Sequence, residues 1–252
     1  MQFQTGIRSI AALAGVLALI MLAAPFASHA QENEPVDVLL FTGGHDFARE
    51  PFIGLFDSMQ SIQWEERVQP EANQVFENGE ATDYDVLVFY DMWSEITEAQ
   101  KQGMIDYLKQ GGGLVALHHS LASYPDWPEF TNIIGGTYVY EEQEIDGEMR
   151  GESNYLHDVT IKVDIADPNH PITEGLSPFT IFDETYGDIY VRANSHLLMT
   201  TDHPASSGHV AWISGYDHGR VAYIQLGHAA ASFRNPNYGP LVERAILWAA
   251  SE

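Results

Sequence analysis

Four stretches of this chain end an apolar run on side chains able to carry a proton or hold a cation. They are Thr42-Gly43-Gly44-His45, Gly113-Leu114-Val115-Ala116-Leu117-His118-His119, Asp183-Glu184-Thr185-Tyr186 and Gln225-Leu226-Gly227-His228. Imidazole changes charge near neutral pH and is a common ligand of divalent ions. A carboxylate serves as acid, base, ligand or acceptor of hydroxyl hydrogen bonds. In an open α/β sheet the carboxyl ends of parallel strands share one edge, so segments far apart in sequence meet there around a ligand. His45, His118 and His228 are therefore expected in one cavity.

Local geometry limits which neighbours take part. If His118 and His119 keep strand geometry they point to opposite faces, one to the site and one into packing. The same holds for Asp183 and Glu184, of which Glu184 is taken for the site. His170 precedes Pro171 in a turn and reads as structural. Ser120 lacks the Gly-x-Ser-x-Gly elbow of a serine hydrolase. Tyr124, Trp127, Tyr138 and Tyr140 offer ring faces for a sugar, or equally for the core or a subunit contact.

The elements that must position these groups follow from periodicity. Val36 to Thr42, Asp85 to Tyr90 and Leu114 to Leu117 are continuous apolar runs, as in strands covered on both faces. Ile62 to Val68 is a less buried strand, interrupted by charge. Helices are expected from about Glu50 to Met59 and from Glu95 to Gln110, the latter stopped by Gly111-Gly112-Gly113. This alternation predicts a three-layer α/β fold with a mostly parallel sheet. Further on, Tyr138 to Tyr140 reads as strand-like and Glu141 to Glu152 as an exposed acidic loop near the site. Strands are expected at Val159 to Ile165, Phe179 to Phe182, Leu197 to Thr200, Val210 to Ile213 and Val221 to Leu226, with a last helix from about Pro240 to Ala250.

The first thirty residues carry one charge, Arg8, then an apolar stretch from Ile10 to Phe26 and the small-residue string Ala27-Ser28-His29-Ala30. That is the layout of a secretory signal peptide cut before Gln31. An uncleaved membrane anchor is the competing reading, and Pro25 with the small residues favours cleavage. The expectation is a signal peptide over residues 1–30, one domain over 31–252, a periplasmic or secreted location and no stable membrane anchor once the leader is gone. The chain has no Cys, which excludes disulfides, a thiol nucleophile, a thiolate ligand and a lipoprotein anchor. With 11 Lys and Arg against 36 Asp and Glu, the formal net charge is −25. So acidic a surface repels phosphate backbones and makes nucleic acid a poor partner.

The order of Gly-Gly-His, Gly-Gly-Gly-Leu-Val-Ala-Leu-His-His, His170-Pro171-Ile172-Thr173-Glu174-Gly175-Leu176, Asp183-Glu184-Thr185-Tyr186, Gly219-Arg220-Val221, Leu226-Gly227-His228 and Trp248 resembles the ThuA-like, or trehalose-utilisation, family over essentially the whole chain after the leader. The resemblance implies a flavodoxin-like fold of the class I glutamine-amidotransferase type. Amidotransferases of that fold place a catalytic Cys on a tight turn after a central strand. Here the match puts His118 at that elbow, which removes the chemistry of glutamine hydrolysis. The substrate class it implies is carbohydrate: trehalose, related disaccharides or keto-sugars.

Together these readings give an exported protein acting on a small sugar or glycoside. His118, Glu184 and His228 are the expected catalytic residues, and His45, Tyr124, Trp127 and Tyr186 the expected sugar contacts. A divalent ion such as Zn²⁺ is the candidate cofactor, held by His45, His118 and His228 with one position open. A metal-free His–Glu proton shuttle uses the same residues. The alternative from another class is a non-catalytic carbohydrate-binding module working beside a separate enzyme.

Overall fold

A computed structural model describes residues 1–3, 34–217 and 219–251. The expected signal peptide lies almost wholly outside the described residues. The folded unit that carries the elements and the site begins at Glu34. Among the described residues no helix is long and apolar enough to cross a membrane.

In chain order the elements are β1 (Val36–Gly43), α1 (Arg49–Asp57), β2 (Ile62–Val68), α2 (Gln74–Asn78), β3 (Val86–Asp91), α3 (Glu98–Lys109), β4 (Gly113–Leu117), α4 (Pro128–Ile134) and β5 (Gly136–Thr137). There follow β6 (Gln143–Ile145), β7 (Glu148–Arg150), β8 (Asn154–Ile165), β9 (Phe179–Gly187), β10 (Tyr190–Val191), β11 (His196–Thr200), β12 (His209–Ile213), β13 (Arg220–Ile224), α5 (Ala230–Phe233) and α6 (Tyr238–Ala250). Nine strands form one sheet in the order β2-β1-β3-β4-β13-β12-β11-β8-β9. The first five are parallel, and from β12 outward each strand is antiparallel to its neighbour. The α/β architecture expected from the alternation is present.

Alternation along the central strands builds two cores, because successive side chains leave a strand on opposite faces. Val38, Leu40, Val86, Val88, Tyr90, Val115, Leu117, Ala222 and Ile224 pack against α1 and α6 on one face. Leu39, Phe41, Leu87, Phe89, Leu114, Ala116, Val221 and Tyr223 pack against α2, α3 and α4 on the other. A strand buried on both faces must be apolar at every position, which is why the parallel strands read as unbroken runs. β2 closes the sheet at one edge, where Glu66 is free to pair with Arg49 at the start of α1.

Several boundaries differ from the sequence reading for local reasons. α3 starts at Glu98 because Thr97 and Gln100 form a reciprocal capping box. Tyr138 to Tyr140 is not a strand; pairing stops at Gly136–Thr137, opposite Tyr190–Val191. The acidic segment is an exposed hairpin, β6 with β7, turned by Asp146 and Gly147, both at positive φ. β9 does not end at Phe182. It runs on to Gly187, so Asp183, Glu184 and Tyr186 lie within a strand.

Candidate active site

The carboxyl edge of the parallel strands carries a cavity of about 340 Å³, lined by His45, Met92, His118, His119 and Ala122 and, from the antiparallel side, by Tyr138, Tyr140, Glu152, Tyr155, His157, Glu184 and Tyr186. His45 reaches it because β1 ends on Gly43 and Gly44. At Gly44 φ is +79°, and a Cβ would run into the Met92 carbonyl, so only glycine lets the two loops approach this closely. Backbone at His118 is also left-handed, with φ of 48°. This is the tight turn expected of the elbow, and it overturns the premise of opposite faces: the chain leaves strand geometry after Leu117, at His118, and both His118 and His119 line the cavity.

His118 is the best-fixed member. Its Nδ1 lies 2.7 Å from the Gln225 carbonyl, and a carbonyl only accepts, so Nδ1 carries the ring proton and Nε2 presents a lone pair. Nε2 lies 3.1 Å from His228 Nδ1 and 3.5 Å from Glu184 Oε1. The Tyr186 hydroxyl stands 3.1 Å from Nε2 and 3.5 Å from Nδ1, its ring stacked on the imidazole. A group nearly equidistant from both nitrogens sits over the ring face, so the in-plane lone pair of Nε2 stays clear of it.

Within β9 the alternation is clean at the point that matters. Glu184 and Tyr186 face the cavity, and Asp183 faces away to accept from Gly227 N–H at 2.8 Å and His228 N–H at 2.9 Å. Tyr90 donates to the Gly227 carbonyl at 2.8 Å. Asp183 and Tyr90 thus clasp the Gly227 turn that carries His228. The second Glu184 oxygen meets His157 Nδ1 at 2.6 Å and lies 3.5 Å from His228 Nδ1.

Burial sets the charges here. It holds His118 well below the usual imidazole range, His119 at about 3 with the neighbouring His45 adding to the effect, and His228 lowered, so these three rings are neutral at neutral pH. Glu184 is pushed up to about 7 by burial, against the pull of His157. Burial likewise raises Asp183.

Of the expected site residues, His45, His118, Glu184 and Tyr186 line the cavity, and His228 stands beside His118 with ring centroids 5.2 Å apart. The donor set differs from the three imidazoles expected. Among the described residues the close-set group is His118, Glu184 and His228, whose donor atoms lie within 4.8 Å of one another. His45 instead stacks on His119 at 4.7 Å. Tyr124 and Trp127 do not reach the cavity. Tyr124 is 1 % exposed and donates to Asn73 Oδ1 at 2.8 Å, and Trp127 stacks on Phe130 of α4. Ser120 donates to the Phe89 carbonyl, a structural role.

His157 is the participant that sequence reasoning missed. It sits in a bulge where the β8–β9 register shifts between Leu156 and Val159, with Asp158 at φ of 57°. The extra residue turns its ring toward Glu184. No apolar run ends there to announce it.

Residues 37–249 match the family described as ThuA, trehalose utilisation. The chain belongs to the ThuA family. A ThuA-like protein from Parabacteroides merdae superposes with a TM-score of 0.71 at 17 % identity, covering 86 % of this chain and 91 % of that one. A ThuA-like protein from Bacteroides uniformis gives 0.63 at 16 % identity, over 86 % and 92 %. The cold-adapted β-galactosidase of Rahnella sp. R3 gives 0.56 at 13 % identity, over 87 % of this chain and 32 % of that much longer one. These likenesses show the fold. No curated protein matches the chain.

Proposed function

We propose that this ThuA-family protein is an enzyme that binds a sugar or small glycoside in the cavity and acts on it at Glu184, His118 and His228. One observation carries the reading: a buried carboxylate in contact with three imidazoles opens into a hollow walled by tyrosines. The family description, trehalose utilisation, supports carbohydrate as the substrate class.

About 340 Å³ lies at the small end of ligand pockets, which span about 300–1,000 Å³, and favours one or two sugar rings over a long chain. Tyr138, Tyr140 and Tyr155 offer ring faces to the apolar side of a pyranose, and Glu152 accepts from its hydroxyls. At the floor, Glu184 and His157 form a proton-carrying pair that runs from the buried centre to a half-exposed ring. His118 Nε2 turns its lone pair into the same centre, beside His228 Nδ1 and Glu184 Oε1. With no Cys in the chain, glutamine hydrolysis by a thiol is excluded. The leader-like string at residues 10–30 supports work outside the cytoplasm, which N-terminal sequencing of the protein recovered from cells tests.

The test is a panel of trehalose, other disaccharides and keto-sugars, with binding and turnover measured separately for wild type and Glu184→Gln. An enzyme loses turnover by about 10²–10⁴-fold while its affinity moves only a few-fold. Loss of binding alone, with no turnover in wild type, would identify a sugar-binding module instead.

A further inference from the structure

We propose that His118 Nε2, His228 Nδ1 and the Glu184 carboxylate together bind one divalent transition-metal ion, with Zn²⁺ the best fit to the donor set. This deepens the reading of the cavity as a reaction site and rests on it only for what the ion would act upon.

The spacing is that of a coordination shell. Zn²⁺ binds imidazole nitrogen and carboxylate oxygen at about 2.0–2.2 Å in tetrahedral geometry, which places neighbouring ligand atoms about 3.3 Å apart. Here the imidazole nitrogens stand 3.1 Å apart, His118 Nε2 lies 3.5 Å from Glu184 Oε1 and His228 Nδ1 lies 3.5 Å from Oε2, and one ligand atom from each residue falls within 4.8 Å of the others. Two imidazoles and one carboxylate also form a recognised catalytic metal set, one that leaves a position for water or substrate.

The surroundings prepare the ligands. A metal-bound imidazole nearly always donates its other N–H to a carbonyl or carboxylate, fixing the tautomer that presents the lone pair. His118 does this to the Gln225 carbonyl, and the Tyr186 hydroxyl over its face leaves the in-plane direction clear. His228 is held through its backbone by Asp183. Glu184 divides its oxygens, Oε1 toward His118 and Oε2 toward His157, so one ligates while the other stays hydrogen-bonded. His157 then remains the proton-carrying group beside a bound sugar. His45, stacked on His119, stays outside the shell. When bound, the ion supplies a Lewis acid to a sugar oxygen.

Tag-free full-length protein is stripped with chelator, dialysed against limiting Zn²⁺ and counted by elemental mass spectrometry, and Co²⁺ is added to a second portion. About one Zn²⁺ per chain, a raised Tm and the intense visible bands of low-coordinate Co²⁺ are expected. His228→Ala and His118→Ala lose Zn²⁺ affinity by at least about 100-fold, a lower bound set by the loss on removing an outer-shell partner; His45→Ala keeps it, and circular dichroism confirms that each variant folds. No Zn²⁺ above the dialysis buffer, undiminished binding in His228→Ala, or equal loss in His45→Ala overturns the proposal. Bound Zn²⁺ without any sugar binding or turnover upholds the ion site and sinks the sugar reading. Turnover by Zn²⁺-free protein that is indifferent to chelator does the reverse.

Discussion

Two buried carboxylates, Glu184 and Asp91, have much in common and differ in the one respect that matters for chemistry. Each is pushed up to about 7 by burial. Asp91 ends β3, beside the cavity loops, yet its surroundings are sealed: Gln69 donates to it at 2.7 Å, Ser123 donates to its backbone carbonyl, and Tyr124 and Asn73 complete the cluster through Gln69. Those partners are amides and hydroxyls, and none opens into a hollow. Glu184 meets three imidazoles and faces a cavity. A displaced proton affinity alone therefore does not mark a site. What marks Glu184 is access, together with partners that can exchange a proton or hold an ion.

The sharpest way to break this contrast is to remove each charge in turn. Glu184→Gln is expected to abolish turnover by about 10²–10⁴-fold, whereas Asp91→Asn leaves it within about threefold, measured on whichever panel sugar wild type converts. Equal losses would erase the distinction.

Asp91 should instead appear in stability. Its folded-state affinity for the proton exceeds that of the unfolded chain, whose value is near 3.8. The folded state therefore holds the extra proton between about pH 4 and 7, and stability falls as pH rises through that window and levels off above it. The contribution is about 2–4 kcal/mol for a group buried this fully. Asp91→Asn keeps an acceptor for Gln69 and loses the slope, so the difference between wild-type and variant unfolding free energies at pH 4.5 and pH 7.5 reads it directly. A flat difference would show that Asp91 is ionised throughout.

Asp183 sharpens the same contrast from the other side, as a buried carboxylate that works by holding a turn. Asp183→Asn places an amide where Gly227 or His228 N–H needs an acceptor, a loss of about 1–3 kcal/mol. Turnover and Zn²⁺ binding should both drop because His228 shifts, a joint effect that a purely structural residue elsewhere would not give. The smallest expected effect is at the cavity wall. Tyr140→Ala weakens sugar binding by about threefold to tenfold, the loss of a stacking contact of about 0.5–1.5 kcal/mol, with the rate constant for turnover unchanged.

The parallel half of the molecule was legible because its strands are buried on both faces and must be apolar throughout. An imidazole after Leu117 or Gly227 then stands out. The antiparallel half was less so: β8 is largely exposed along Asn154 to His157, which left its first five residues, and His157 with them, without a signature. Tyr124 and Trp127 were misplaced because aromatic composition is the same for a core and a sugar platform, and only burial separates them. Two further boundaries have local signals in the sequence, Thr97 with Gln100 as a capping box and Asp146-Gly147 as a hairpin turn. At the consecutive histidines the condition of strand geometry fails, because a single left-handed residue cancels the two-residue period.

β13, the last strand among the described residues, is wedged in mid-sheet between β4 and β12, joining the parallel half to the antiparallel one. His118 precedes the segment that inserts there and His228 follows it, while Glu184 belongs to the far edge. The cluster of His118, Glu184 and His228 thus exists only where β13 joins the two halves of the sheet. A chain clipped before that stretch would lose His228 itself, together with the join between the strand that leads to His118 and the strand that carries Glu184.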